Sequence, residues 1–223
     1  PIYDKTFKAD ATTNRAVMFE ANALIHKLLV EELVTFKGEF FSCEDISIRP
    51  TLSIVIDTFI ASESIEAIKE AAFKGYGLIG SIAISKEKRR EIFKSYENLN
   101  PIKPLSFRLA RGINIGFNKE AVLKETQYCA DIFLKSMIAS KDTSPTLVKL
   151  LTSEYLDIRN SLFNSNRIFE NAIYGTPKEC IAQIKALKDE FDIEALLLKT
   201  LTNSSQKAKE IINLYVKEVK PYV

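Results

Sequence analysis

The stretch LSIVIDTFIASESIEAIKEAAFKGYGLIGSIAI, residues 52–84, decides the reading of the fold. Leu52–Ile60 is an apolar, β-branched run of strand length, and Ser64–Lys74 then returns its apolar residues at helical spacing. Leu78–Ile84 is a second apolar run. A buried strand, a helix and another buried strand in this order make a right-handed crossover, so the two strands lie parallel in one sheet. Gly75 stands where that helix must stop.

The rhythm continues downstream. Lys86–Tyr96 reads as a charged helix, Phe107–Phe117 as a strand and Lys119–Met137 as a long helix. A largely helical stretch from Pro145 to about Glu170 interrupts before a helix over Thr176–Glu190, a strand over Ala195–Thr200 and a last helix over Ser205–Val219. The count is four strands, expected to be parallel neighbours. Upstream, Val17, Ala21, Leu24, Ile25, Leu28 and Leu29 line one face of a helix that Thr12 or Thr13 can cap. Val34 to Phe41 alternates aromatic and polar residues around Lys37-Gly38, and Ile46 and Ile48 repeat the alternation before Pro50, which predicts a small β excursion. No repeat or low-complexity linker marks a boundary, so one α/β domain over 1–223 is the expectation.

Composition narrows the function. Thirty-one Lys and Arg against 29 Asp and Glu leave a net charge of +2 in 223 residues, and no basic run offers the footprint that a phosphate backbone needs. Nucleic acid is not an expected partner. The longest apolar runs, Leu52–Ala61 and Leu78–Ile84, fall far short of the roughly 20 residues of a membrane span. Cys43, Cys129 and Cys180 are odd in number and far apart, which fits neither a disulfide framework nor a zinc site, and a reducing cytoplasm is the default location. The chain opens Pro1-Ile2-Tyr3-Asp4 without a signal segment, as a processed protein or part of a longer one would.

Few residues carry chemistry. A single histidine, His26, sits beside the apolar stripe of the first helix; it reads as structural, and one histidine cannot build a multi-histidine metal site. Glu31-Glu32, Glu44-Asp45 and Asp189-Glu190 fall at helix ends and turns as solvated charge, and no acid/base pair stands out. There is no P-loop, and Gly75-Tyr76-Gly77 precedes a strand, the wrong order for a dinucleotide turn. The junction Ala61-Ser62-Glu63-Ser64-Ile65 is more informative, because hydroxyls and backbone N–H groups converge there on the positive end of a helix. It reads either as a phosphate site or as a plain N-cap. Arg15 is similarly open, as a surface charge or a guanidinium for a phosphate. Thr176-Pro177-Lys178-Glu179 is a capping box with proline at the first helical position, a structural signal.

Gly175-Thr176-Pro177-Lys178-Glu179-Cys180-Ile181, the Ala195-Leu196-Leu197-Leu198 strand after Phe191-Asp192-Ile193, and the ending Val219-Lys220-Pro221-Tyr222 together resemble the C-terminal portion of bacterial-luciferase-like flavin monooxygenases. Thr35–Phe41 followed by Ile46–Pro50 resembles the stretch leading into the family's fifth barrel strand, and Ala61–Ser64 with Ala71-Ala72 before Gly75 resembles its fifth strand-to-helix junction. Tyr3-Asp4 and Phe7-Lys8 before Arg15 also have counterparts, so the likeness runs over nearly the whole chain.

The resemblance implies a TIM-type (β/α)8 barrel, FMN bound at the C-terminal strand ends, and activation of molecular oxygen by reduced flavin. It implies that Arg15, Ser62, Glu63 and Ser64 hold the flavin phosphate and that Ser81 approaches the isoalloxazine ring. Ala67 departs from the Ser or Thr common there in the family, which removes one hydrogen bond. The four strands resemble the fifth to eighth of the barrel, so only its C-terminal half to two-thirds is expected here, with the N-terminal part missing. The catalytic histidine and cysteine of the luciferases then have no counterpart, because the helix of His26 corresponds to the outer fourth helix. No catalytic residue and no metal ligand is assigned. Implied partners are an unidentified small-molecule substrate, a flavin reductase and a second copy in a homodimer. The alternative is a non-catalytic flavin-binding protein or remnant that retains the phosphate-binding half of the barrel, or a binding module that keeps only the architecture.

Overall fold

The computed structural model describes residues 13–50, 56–139, 165–190 and 193–223. They fall into two compact units, one up to Asp57 and one from Thr58 onward.

In the first unit, α1 (Asn14–Val30) is followed by the antiparallel pair β1 (Val34–Lys37) and β2 (Ser42–Ile46). The expected helix and β excursion are both present, although Ile48 lies beyond β2 and Thr13 precedes α1 without a side-chain capping bond. Glu20 on α1 organises the turn between the strands, its carboxylate accepting from the backbone N–H groups of Glu39 and Phe40, each at 2.8 Å, and of Phe41 at 2.7 Å. Burial pushes the Glu20 carboxyl up, but those three N–H groups outweigh it and hold the pKa below its ordinary value.

The second unit is built on a parallel sheet. Its strands are β3 (Phe59–Ile60), β4 (Gly77–Gly80), β5 (Phe107–Ile115), β6 (Ile173–Gly175) and β7 (Ala195–Thr200). β3 pairs with β4 and β4 with the start of β5, through Leu78 opposite Phe107 to Gly80 opposite Leu109. β7 runs along β5 from Arg108 to Ile113, while β6 pairs at its far end, with Ile113 opposite Ile173. Because these registers overlap, β7 must hold one edge of β5, and β4 and then β6 share the other.

Between the strands run α2 (Ile65–Lys74), α3 (Lys86–Leu99), α4 (Lys119–Ala139), α5 (Ser165–Glu170), α6 (Pro177–Glu190) and α7 (Ser205–Leu214), which continues into a π-helical turn over Tyr215–Val219. α2 buries Ala67, Ile68, Ala71 and Ala72, a small-residue face that fits close against strands. Gly75 ends it at φ 68, a left-handed conformation that favours glycine. A second core joins Ile113 and Ile115 of β5 to Ile173, Cys180, Ile184, Ile211 and Val219.

The four expected strands are parallel, but several boundaries and the count change. β6 is a fifth strand, too short to show as a periodic run. Leu78–Ile84 stops as a strand at Gly80, because the chain turns there, with Ile84 N–H donating to the Ser81 carbonyl at 3.2 Å. Of Leu52–Ile60, only Phe59–Ile60 is strand among the described residues, and residues 51–55 lie outside them. The Phe107–Phe117 run ends at Ile115, and most of the Pro145–Glu170 stretch is outside the described residues, its end forming α5.

The sheet requires a close approach at Gly77. A Cβ there would lie 2.8 Å from the Ser106 carbonyl oxygen and would overlap the Phe59 ring. Gly77→Ala is therefore expected to destabilise the protein by about 1–3 kcal/mol, as overpacking a tight site does, measured by urea unfolding.

The capping box forms as read. Glu179 Oε2 accepts from the Thr176 N–H and hydroxyl, each at 2.8 Å, while Glu179 Oε1 pairs with Lys119 Nζ at 2.5 Å. Lys119 first, and then the Thr176 donors, hold the Glu179 carboxyl down at about 2, against an ordinary 4.5. A depressed folded-state pKa gives stability that is present above the unfolded value and lost as pH falls through the folded one. The gap in denaturation midpoint between the native protein and Glu179→Gln should thus be full at pH 7, shrink below pH 4.5 and close near pH 2.

Candidate functional site at the C-terminal strand ends

In parallel sheets ligands collect beyond the carboxyl ends of the strands. In the second unit that edge carries Ser62, Glu63 and Ser64 after β3 and Ser81 after β4. Ser64 caps α2, its Oγ accepting from the Ala67 N–H at 3.3 Å. Ser62 Oγ accepts from the Ser64 N–H at 3.4 Å and lies 3.5 Å from Ser64 Oγ. Glu63 is buried and reaches sideways, its Oε1 accepting from the Ser81 N–H at 3.0 Å. This bond ties the end of β3 to the end of β4. The two sequence-predicted segments therefore meet on one rim.

The sequence reading missed the group beneath them. Arg111 lies within β5 and is 1% exposed. Its Nη1 donates to the carbonyls of Ala110 at 2.9 Å and Ser81 at 3.3 Å. Burial, and then the buried Arg89 nearby, pull its pKa down to about 9, while Glu63 pushes the other way. The signal was available: a charge in the middle of the apolar run Leu109-Ala110-Arg111-Gly112-Ile113 is costly to bury and calls for a reason.

A second polar group gathers around Glu125 on α4, which accepts from Asn114 Nδ2 at 3.1 Å and Thr202 Oγ1 at 2.9 Å and pairs with Lys207. Burial raises this carboxyl, but Lys207, Asn114 and Thr202 together leave it below its ordinary value. Cys129 and Cys180 are buried thiols with raised pKa values, desolvation being the first cause, which makes them poor nucleophiles.

Arg15 and His26 belong to the first unit. Arg15 is exposed in the first turn of α1, and His26 is half-buried on the same helix. A hollow of about 520 Å³ in this unit is bounded by Glu32, Ser47, Arg49 and Pro50, none of which is among the expected cofactor-binding residues. Among the described residues no group of His, Cys, Asp and Glu could hold a metal ion, and no helix is long and apolar enough to cross a membrane.

The model of the luciferase-like monooxygenase family matches residues 2–191, and the chain belongs to that family. Comparison with curated proteins found no match. Among solved structures, a monooxygenase from Streptomyces bottropensis is 16% identical with a TM-score of 0.70, covering 99% of this chain and 65% of that one. An F420-dependent secondary alcohol dehydrogenase is also 16% identical, with a TM-score of 0.63 over 96% of this chain and 64% of that one. Flavoprotein 390 is 16% identical with a TM-score of 0.51, covering 88% of this chain and 84% of its own. The chain thus spans just under two-thirds of the first two and most of the third.

Ser64→Ala removes the cap of α2 while leaving the strands untouched. The expected loss is about 1 kcal/mol by chemical denaturation, with Ser64→Gly losing only a few tenths.

Proposed function

We propose that the protein is an FMN-dependent monooxygenase in which β3, β4, β5 and β7 serve as the fifth to eighth strands of a TIM-type barrel. The observation that carries the reading is the meeting of Ser62, Glu63, Ser64 and Ser81 on one strand-end rim, within a chain of the luciferase-like family.

The residues present fit the phosphate of a flavin. Ser62 and Ser64 set hydroxyls at the start of α2, where the helix dipole favours an anion. Glu63 gives one carboxylate oxygen to the Ser81 N–H, so part of its charge is compensated on the protein side. The Ser81 hydroxyl is a buried polar atom without a hydrogen-bond partner among the described residues, a group suited to a ligand on this rim. Ser62, Ser64 and the first turn of α2 would hold the phosphate, and Ser81 would face the ring system; Arg15 is assigned to the phosphate by the family resemblance alone. Reduced FMN, when bound, supplies the electrons that activate molecular oxygen. Its source would be a separate flavin reductase, in the cytoplasm, and the working form a homodimer.

A second reading is a flavin-binding protein without oxygen chemistry. Oxygen uptake with chemically reduced FMN separates the two: substrate-dependent uptake supports the monooxygenase, and tight FMN binding with none supports the second.

The cofactor is tested by titration. A charge-assisted hydrogen bond contributes about 1.5–3 kcal/mol, so Arg15→Ala should weaken FMN binding roughly ten- to a hundredfold and leave riboflavin nearly unchanged. His26→Ala is the control and should leave both affinities intact. Equal weakening of FMN and riboflavin by Arg15→Ala refutes the phosphate assignment, and preference for coenzyme F420 over FMN refutes the cofactor.

A further inference from the structure

The rim contains a guanidinium that phosphate capture by Ser62 and Ser64 leaves unused. Arg111 is buried, with Nη1 committed to the carbonyls of Ala110 and Ser81. Among the described residues its Nε and Nη2, which form one edge of the planar group, have no hydrogen-bond partner, and neither has the hydroxyl of Ser81, the residue whose carbonyl holds Nη1. Glu63 is near enough to act on the charge of Arg111, yet its Oε1 accepts from the Ser81 N–H. The fork is therefore fixed by carbonyls on one side and open on the side suited to a two-point acceptor.

We propose that the Nε/Nη2 edge of Arg111, together with the Ser81 hydroxyl, receives an oxyanion of a bound ligand: a carboxylate, sulfonate or phosphate. Three arguments support it. A buried cation is stable only when paired and hydrogen-bonded, and the donors left over here number two on one edge of Arg111. Arg89 places a second buried positive charge close by, so the local field favours an anion. The Ser81 and Ala110 carbonyls already hold Nη1, which orients the guanidinium before any ligand arrives. The edge is closed to solvent, so entry requires rim side chains to move aside.

The assignment stands independently of the flavin reading, because either a flavin phosphate or an acidic substrate could bring the oxyanion. The test is the Arg111 Nε–H resonance of the intact wild-type protein, assigned through its own backbone amide and by its disappearance in Arg111→Lys. Sodium phosphate, sulfate and acetate are titrated at constant ionic strength against chloride. The expected result is a saturable shift with at least one of the three and none with chloride, with Ser81→Ala weakening the response roughly three- to tenfold. A shift with FMN but not riboflavin identifies the flavin phosphate as the occupant and replaces its assignment to Ser62 and Ser64; a shift with the small oxyanions and none with FMN identifies an acidic substrate. If the resonance stays in place through phosphate, sulfate, acetate and FMN, or moves equally with chloride, the proposal is overturned. Because the titration uses the native protein, misfolding of a variant cannot rescue or sink it.

Discussion

β5 carries hydrogen-bond ladders to β4, β6 and β7, and every feature of the strand-end rim depends on that shared strand. A nine-residue strand with three partners has almost no freedom to slip, because a one-residue shift would invert every side chain relative to all of them. Packing enforces the same register. Phe107 stacks obliquely on Phe93 with ring centroids 5.1 Å apart, and Gly112 leaves the space that the Leu201 side chain fills. Arg111 is thereby placed at the height where β4 has already turned away after Gly80, opposite the Ser81 carbonyl rather than another strand.

That placement converts a packing constraint into electrostatics. Glu63, Ser81 and Arg111 form a chain across three strands: carboxylate to backbone N–H, then backbone carbonyl to guanidinium. Backbone atoms of Ser81 mediate both links, so neither uses its side chain. Burying a guanidinium is expensive even with partial compensation, and its pKa near 9 still leaves it charged at neutral pH. A core arginine that merely stabilised the fold would be expected to use all its donors; one edge is instead left over, at the end of the sheet where parallel folds place their ligands.

Much of this was legible in the sequence, and the exceptions have physical causes. The apolar runs and Ser-capped helices gave the order of elements because burial and capping are local requirements that any such fold must meet. The Thr176–Glu179 box could be read to the atom, since both partners lie within one turn. Gly80 as the end of β4 was not visible, because Ile82, Ala83 and Ile84 continue the apolar pattern while serving a turn whose residues Ala83 and Ile84 are buried for other reasons. β6 escaped for the opposite reason: three residues are too few for a period, and its pairing with the far end of β5 is a tertiary choice.

The site divides along the same line. Ser62 and Ser64 announce themselves as helix-start residues, and their family likeness attaches a ligand class to them. Glu63 belongs to the same junction, and its carboxylate also ties the end of β3 to the end of β4, a bond between residues eighteen positions apart that no local pattern encodes. Arg111 lay in plain view as a charge within an apolar strand, but a sequence cannot say whether such a residue meets a carboxylate deep in the core or a ligand at the rim. Only the third dimension bears on this, by showing that the Glu63 carboxylate, whose charge acts on Arg111, accepts from a backbone amide and that one edge of the guanidinium has no partner among the described residues.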